Sequence, residues 1–593
     1  MSIELNADQK KALDQIKEFL NQHAVQVYIL TGSAGTGKTT LLKALVEELK
    51  KKHDIGLTHE QLMEEENLHE NQRRRPFQLL ATTGRAAKIL RDKTGTEAKT
   101  IHSVVYKFDK VDASDKDGGD PWDEKNETGQ LYLNFSVSPP PKGRIPLYLV
   151  DEASMINAYD VEEIGTSKYG SGNILRDFLE MASTTKIIFV GDYFQLPPVG
   201  NEVHSAALDP IYFRDRLKIV AWLGVLNKVM RQAEESEVLR LAIYVRNLLD
   251  KKQLVKWPQL PLPNEQNVHL LPDAIEMVKL FTNKFKSEGP FNSIILCYSN
   301  DDVKKLNQHA RRLIHGHDEL VEGDLLMVVQ NSYTTDLVNG DQVTVEKIHR
   351  IFEHANLGFI DVELKTLHDE RVFRTYMLQH LLYNTQSGIN SYDHRMLIID
   401  FDKRMKNLNI VRNSDTYKQR MMEDPFLNAV RAKFGYAITV HKAQGGEWKN
   451  VFLYINKSLF GNTIDENGHF NLNRSQAVHR WLYTAITRSS GHLWINDGFW
   501  IEGYNHRSGN LPYKDIREGR AQLTIRDFAD ATSQQGKKFQ YVIGQLLYDD
   551  GHMVPLAADG NRLFKPFQIS RPGTYQVHVI RNSKQFPKVE IIR

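Results

Sequence analysis

In 593 residues there is a single cysteine, Cys297, and it lies in the apolar run SIILCYSN. No internal disulfide can form, so the fold rests on its cores, and Cys297 reads as part of one of them. No run of 18 apolar residues occurs and no charged-then-apolar leader opens the chain, so the expectation is a reducing, cytoplasmic location with no membrane partner. Net charge is scarce as well: 76 Lys+Arg against 74 Asp+Glu leave a formal +2. The molecule is not a polycation. Any binding of nucleic acid has to come from a local groove and from main-chain and hydroxyl contacts to phosphate. A metal-dependent nuclease constellation is also missing, which disfavours cleavage by this chain. Hydrophobic content of 41% is ordinary for a globular chain, and the length suggests roughly four domains at about 150 residues each.

What the chain does have is a complete phosphate loop. Residues 32–39 read GSAGTGKT, between the apolar run Val25 to Leu30 and the helix-like run TTLLKALVEELKKK. Strand, loop, helix is the context this loop needs. Backbone N–H groups of Gly32, Ser33, Ala34, Gly35, Thr36 and Gly37, with the helix N-terminus at Thr39 and Thr40, surround the phosphates of a nucleotide; Lys38 reaches the β/γ oxygens and Thr39 ligates Mg²⁺. The chain is expected to bind a nucleoside triphosphate. The loop alone leaves the task open, because GTPases, kinases, transporters and motors all use one.

Two further runs narrow it. LYLVDEAS (147–154) is an apolar strand ending in two acids. Asp151 is placed to hold Mg²⁺, directly or through water, and Glu152 to orient and deprotonate an attacking water. A second apolar strand, KIIFV, leads into GDYFQLPPVG at 191–200. There Gln195 is an uncharged group able to sense the γ-phosphate, and Pro197 and Pro198 fix the chain that follows.

Taken in order, these runs and several others resemble superfamily 1 helicases over about residues 5 to 515. LNADQKKAL is similar to the glutamine motif, which implies Gln9 as the reader of adenine and ATP as the nucleotide. LLATTGRAAKIL (79–90) and TIHSVVY (100–106) are similar to the first strand-gripping motifs. LNKVMRQAEESEVLRLA supplies the arginine of the fourth motif at Arg231; FGYAITVHKAQGGEWKNVFL (434–453) is similar to the fifth motif, and RWLYTAITRSS (480–490) to the sixth, with Arg488. Glu447, within the fifth motif, is implied as a further nucleotide contact. The GRAA and TIHS wording is closest to the RecD, Dda and Pif group, whose members move 5′ to 3′ on DNA; that polarity comes from the resemblance alone. Arg231 and Arg488 are implied as transition-state cations: the γ-phosphate gathers charge, and a cation delivered from a second lobe stabilises it only when the lobes close.

Strand binding is transferred with chemistry. Thr83, His102, Ser103, Thr439 and His441 offer hydroxyl or imidazole groups at the ends of core strands, as needed to hold phosphates without reading sequence. Phe108, Phe135 and Trp448 are candidates for stacking on bases.

Strand-type and helix-type runs alternate as in parallel α/β sheets. The expected fold is therefore α/β, two RecA-like P-loop lobes: the first over 1–225, the second split into 226–316 and 433–515. A β-hairpin insertion, VVYKFDKV to QLYLNFSV (104–137), interrupts the first lobe; in the resembled group a hairpin here splits the duplex. Strand-like runs at 317–432 suggest a small barrel, SH3-like in the family, with nucleic-acid contact from loops such as NSYTTDLVNG. The polar stretch from Lys51 to Arg75 reads as a solvated insertion, with phosphate contact by Arg73 to Arg75 as the alternative. The tail, 520–593, reads as a C-terminal β domain whose job is unreadable, an OB-like or SH3-like binding module and a protein-docking domain being equal alternatives. The expected activity is that of an ATP-dependent DNA helicase in replication, repair or recombination, acting on single-stranded and forked duplex DNA. Two alternatives stand beside it: a nucleic-acid-stimulated ATPase subunit of a nuclease or defence assembly, and an RNA helicase.

Overall fold

The computed structural model describes residues 4–51, 76–228 and 236–496 apart from short internal stretches, and beyond them only the backbone of five strands between 521 and 592. The chain divides into two compact units, residues 1–235 with 282–448, and residues 236–281 with 449–593.

In the first unit, β1 (Val27–Gly32), β2 (Gln78–Ala81) and β3 (Ala98–Thr100) are followed by a hairpin, β4 (Tyr106–Asp115) and β5 (Gly129–Val137), and then by β6 (Leu147–Asp151), β7 (Ser167–Tyr169), β8 (Lys186–Gly191) and β9 (Ala221–Leu226). Six of these form one parallel sheet in the order β3-β2-β6-β8-β1-β9. Parallel strands are covered on both faces, and this is why VYIL, LYLV and KIIFV are so uniformly apolar. On one face the helix Lys38–Lys51 inserts Leu41, Leu42, Leu45, Val46 and Leu49 among Tyr28, Leu30, Leu149 and Val190. On the other, Ile29, Val150 and Phe189 meet Ile174 and Phe178 of the helix Ile174–Met181. Each such side chain contributes about 1.5–3 kcal/mol on burial, so the core fixes the helix behind the phosphate loop. Thr31 lies opposite Gly191 and Val150 opposite Phe189, so β1, β6 and β8 end level at one edge. In open parallel sheets that edge is where ligands bind.

The expected hairpin is present, with a third strand added. Its strands pair from Tyr106↔Val137 out to Asp115↔Gly129, with a bulge between Phe108 and Lys110, and β7 pairs with β5 in parallel. Its base belongs to the sheet's core: the Tyr106 hydroxyl donates to buried Asp177 at 2.8 Å, and Phe135 stacks on Tyr169 at 4.7 Å. Its outer half packs elsewhere, as described below.

The chain enters the second unit through the helix Glu237–Asp250 and β10 (Val268–Leu271), and returns to the first at β11 (Ser293–Cys297). Cys297 is fully buried, as a core residue should be. There follow β12 (Leu325–Val328), β13 (Gln342–His354), β14 (Leu357–Thr366), β15 (Val372–Leu378), β16 (Ala432–Phe434) and β17 (Ala437–Thr439). The strand-like runs expected in 317–432 become β12 to β15, and with β16 they form one antiparallel sheet, β15-β14-β13-β12-β16.

Two helices that the sequence pattern did not reveal lie between β15 and β16, Ser391–Asn407 and Asp415–Glu423, each N-capped by its preceding residue, Asn390 and Ser414. They receive the hairpin. Val111 and Leu131 share a core with Met396, Ile399, Tyr417 and Met421. Fully buried Arg395 donates through Nε to the Pro121 carbonyl at 2.8 Å and through Nη2 to the Asp123 carbonyl. Arg412, held by Asp402, lies 3.5 Å over the ring of Trp122.

In the second unit β18 (Trp448–Leu453) and β19 (Ser489–Asn496) accompany the helix Leu472–Ile486, and β10 pairs with β19 in parallel. In the tail, β20 (Ala521–Ile525), β21 (Gln540–Tyr541), β22 (Phe567–Gln568), β23 (Gly573–Ile580) and β24 (Lys588–Ile592) form antiparallel pairs, β20-β23-β24 and β21-β22. Among the described residues no helix is long and apolar enough to cross a membrane.

Candidate nucleotide and strand-binding sites

The phosphate loop follows β1 at the level edge of the sheet. Gly35 and Gly37 take φ of 78° and 77°, the left-handed region that a side chain strains. A Cβ on Gly32 would lie 2.7 Å from Thr36 Oγ1. Lys38 is folded back, its ammonium donating to the carbonyls of Gly32 at 2.7 Å and Ser33 at 3.1 Å, so a cation already stands over the loop. Thr39 and Thr40 open the helix behind it.

Gln9 is placed differently from the expectation. It is fully buried; its amide donates to the carbonyls of Thr36 at 3.3 Å and Gly37 at 3.2 Å, while its Oε1 accepts from Asn6 N–H at 2.9 Å in a capping box. The amide end of the side chain thus braces the loop and the carbonyl end caps its own helix.

The acid pair ends β6. Glu152 has φ 52°, an unusual region for a side-chain-bearing residue, which costs on the order of 1–3 kcal/mol and gathers at functional sites. Its N–H donates to Asp151 Oδ1 at 2.9 Å, and its carbonyl accepts from Thr82 Oγ1 at 3.4 Å. Burial, and then the neighbouring Glu152 carboxylate, push Asp151 up to about 6. Gln195 is buried in the turn after β8, where its N–H donates to the Asp192 carbonyl at 3.2 Å and Phe194 N–H donates to Asp192 Oδ1 at 3.0 Å. Asp192 was not foreseen as the residue that shapes this turn. Gln444, inside the fifth motif, donates to the Leu196 carbonyl at 2.8 Å and ties that motif to the same turn. Glu447 is exposed. Arg231 lies outside the described residues, as do Arg73 to Arg75. Arg488, in the second unit, is only 6% exposed and donates to the Thr484 carbonyl and to Thr487 Oγ1, both at 3.1 Å.

Of the strand-binding candidates, Thr83 N-caps the helix Gly84–Thr94 and accepts from Ala86 N–H at 3.2 Å. Ser103 is exposed, with its hydroxyl donating to the Thr100 carbonyl at 2.8 Å. Desolvation lowers His102 to about 4 and also lowers His441, so both imidazoles are neutral at pH 7. Thr439 is buried at the end of β17.

The stacking candidates need correcting. Phe135 is 6% exposed and spent on Tyr169, and Trp448 is 1% exposed with the Arg85 guanidinium 4.2 Å over its ring. Neither face is available to a base. Phe108 is only partly buried, in an edge-to-face pair with Phe135 at 5.6 Å. The loop NSYTTDLVNG is also committed to protein at its end: a Cβ on Gly84 would meet Val338 at 2.1 Å, and Lys88 pairs with Asp341 at 3.5 Å. Arg85 stands within the GRAA run, where the motif gave it no role of its own, and it serves as a packing cation between Trp448 and Gln342.

Residues 4–247 match the AAA domain family and residues 434–496 the UvrD-like helicase C-terminal domain family. Among curated proteins, the ATP-dependent DNA helicase Dda of Enterobacteria phage T4 is 24% identical, over 76% of this chain and 92% of Dda. An uncharacterized protein of Methanocaldococcus jannaschii is 23% identical over 83% of this chain, which spans only 38% of that relative. A Bacteroides Pif1 helicase solved with ADP-AlF3 and single-stranded DNA covers 84% of this chain and 92% of its own, at 16% identity and a TM-score of 0.41. The ordered motifs, the parallel sheet that carries them and these sequence matches agree in making the chain similar to the superfamily 1 helicases of the RecD, Dda and Pif group.

Proposed function

We propose that the chain is an ATP-dependent DNA helicase that translocates 5′ to 3′ on a single strand. The observation that carries the ATPase half is the level edge of the first sheet, where the phosphate loop stands with the acid pair and Glu152 is held in a strained backbone. Thr39 and Asp151 suit a divalent cation: both offer hard oxygen donors, and Asp151 carries a carboxylate whose charge burial disfavours until a cation compensates it. Mg²⁺ bound there would neutralise charge on the phosphates. Lys38 binds the β/γ oxygens, Glu152 holds and deprotonates the water, Gln195 senses the γ-phosphate, and Arg231 and Arg488 supply cations as the motifs imply. Thr83, His102, Ser103, Thr439 and His441 hold strand phosphates. The boundaries at 225, 316, 432 and 515, the SH3-like character of the insertion and a separate C-terminal module, with a docking role, belong to the same proposal.

The deciding experiment measures ATPase with no polymer, with single-stranded DNA and with single-stranded RNA, and unwinding of duplexes carrying one tail. DNA stimulates turnover severalfold, and the 5′-tailed duplex is unwound while the 3′-tailed one is largely ignored. Stimulation by RNA alone, or a preference for the 3′ tail, overturns the reading.

The hairpin is the proposed separating element. Opening a base step costs about 1.4 kcal/mol of stacking, and a pin braced against Arg395 and Arg412 can keep the strands from closing behind the motor. Because its base lies in the core of the first sheet, removing all of 104–137 would damage the fold. Trp122→Ala is the gentler change, since it removes the Arg412 contact at the outer end. Unwinding is expected to fall severalfold while strand-stimulated ATPase and the thermal melt stay near normal; unchanged unwinding removes the pin assignment.

A further inference from the structure

We infer that the recess between the hairpin and the helix Asp415–Glu423 is a binding site for a small organic anion, a carboxylate on an apolar body, with Arg431 as its cation. The site uses neither nucleotide nor DNA and so stands apart from the activity proposed above. The recess encloses about 530 Å³, part of it open to solvent, and small-molecule sites measure roughly 300–1,000 Å³.

Phe108 and Leu133 reach it from the hairpin strands β4 and β5, Met421 and Met422 from the helix, and Gln330 and Asn331 from the chain that follows β12. Gln330 and Asn331 are exposed, whereas Arg431, His394 and Met421 are buried, so the recess leads from amides at the surface to a guanidinium inside. Burial lowers Arg431 to about 10, which leaves it charged at pH 7. Among the described residues its bonds go to neutral acceptors: Nη1 donates to Gln330 Oε1, and Nη2 to the Leu427 carbonyl at 3.4 Å. No acid lines the recess among the described residues. Asp424, the nearest aspartate along the chain, accepts instead from Arg404 and from the N–H groups of Phe426 and Leu427. A buried cation without a counter-charge is costly. A carboxylate accepts two N–H bonds of one guanidinium at once and offsets that cost.

His394 is an independent sign of a ligand. It lines the same recess, is 2% exposed, and its Nδ1 has no hydrogen-bond partner among the described residues. Burial, and then the Arg431 charge, push this imidazole down to about 3, so at pH 7 it is neutral and able to give or take one hydrogen bond. Phe108, Leu133, Met421 and Met422 supply apolar wall, which favours a carbon body over a bare inorganic ion, and the methionines adapt to its shape.

The test uses the whole chain without nucleotide or DNA and takes benzoate as the probe. Binding is followed by saturation-transfer NMR, and the fold of each variant by a thermal melt. Benzamide, of the same shape and without charge, is the control. Benzoate is expected to bind the parent, benzamide at least tenfold more weakly, and Arg431→Gln is expected to weaken benzoate at least tenfold. Because Arg431 is buried, a second variant guards against misfolding. Asn331→Asp sets a carboxylate at the exposed mouth while keeping an acceptor for Asn339 N–H, and it is expected to weaken benzoate severalfold in a folded protein. No binding of benzoate by the parent, equal binding of benzoate and benzamide, or unchanged benzoate affinity in both variants overturns the site. In a second arm, oligothymidylate is added to the benzoate complex. Displacement of benzoate, together with a slope of log K against log salt for the strand that is shallower by about 0.7 in Arg431→Gln, makes a strand phosphate the occupant and overturns the small-ligand assignment.

Discussion

Lys38→Ala abolishes ATP turnover, whereas Glu152→Gln keeps the nucleotide bound and loses its hydrolysis. The two variants remove different things. Lys38 is the cation over the phosphate loop, where its ammonium donates to the Gly32 and Ser33 carbonyls; alanine takes away the cation that would receive the β/γ charge. Glu152→Gln preserves size and removes only basicity at the end of β6, and a general base accounts for about 10² to 10⁴ in rate. Its backbone bonds, N–H to Asp151 and carbonyl from Thr82, do not depend on the side chain, so the strained turn persists. Equilibrium binding of a fluorescent ATP analogue alongside phosphate release separates the two. Normal turnover in either variant removes the role given to that residue.

Arg488→Ala cuts DNA-stimulated turnover at least tenfold. An arginine that reaches the γ-phosphate in the transition state contributes on the order of 10³ to 10⁵, and the sixth motif assigns that task to Arg488. The same guanidinium bonds Thr484 and Thr487 at the end of the helix Leu472–Ile486, and such bonds are worth about 0.5–1.5 kcal/mol each. A purely structural arginine therefore predicts a lowered melt with ordinary turnover at temperatures where the protein stays folded. A catalytic one predicts lost turnover in a folded protein. Measuring strand-stimulated ATPase well below the melting transition of Arg488→Ala decides between them, and a normal rate there makes Arg488 structural.

That the phosphate loop and the acid pair would each end a strand of the first lobe was legible in one dimension because their signals are local. GSAGTGKT needs only its own glycines, lysine and threonine, and Asp151 and Glu152 are adjacent; the apolar runs before each then bring them to one edge of a parallel sheet. The hairpin was equally legible, since alternating strands around a polar turn pair with each other. Stacking residues were not. Phe135 in the hairpin and Trp448 in the fifth motif read like any exposed aromatic, and only the packing shows Tyr169 and Arg85 occupying their faces. Gln9 likewise reads as a base contact, and the fold turns it onto the loop.

Neighbours within a few residues dictate the nucleotide chemistry, the order of the motifs and the strands, so for these the sequence is sufficient. What depends on residues far apart in the chain was left to the tertiary structure. Arg395 braces a hairpin more than 250 positions before it, and Arg431 meets Gln330 in a recess beside the hairpin. No local periodicity encodes such meetings. Burial of apolar surface on two unforeseen helices brings about the first, and the pairing of β12 with β16 brings about the second.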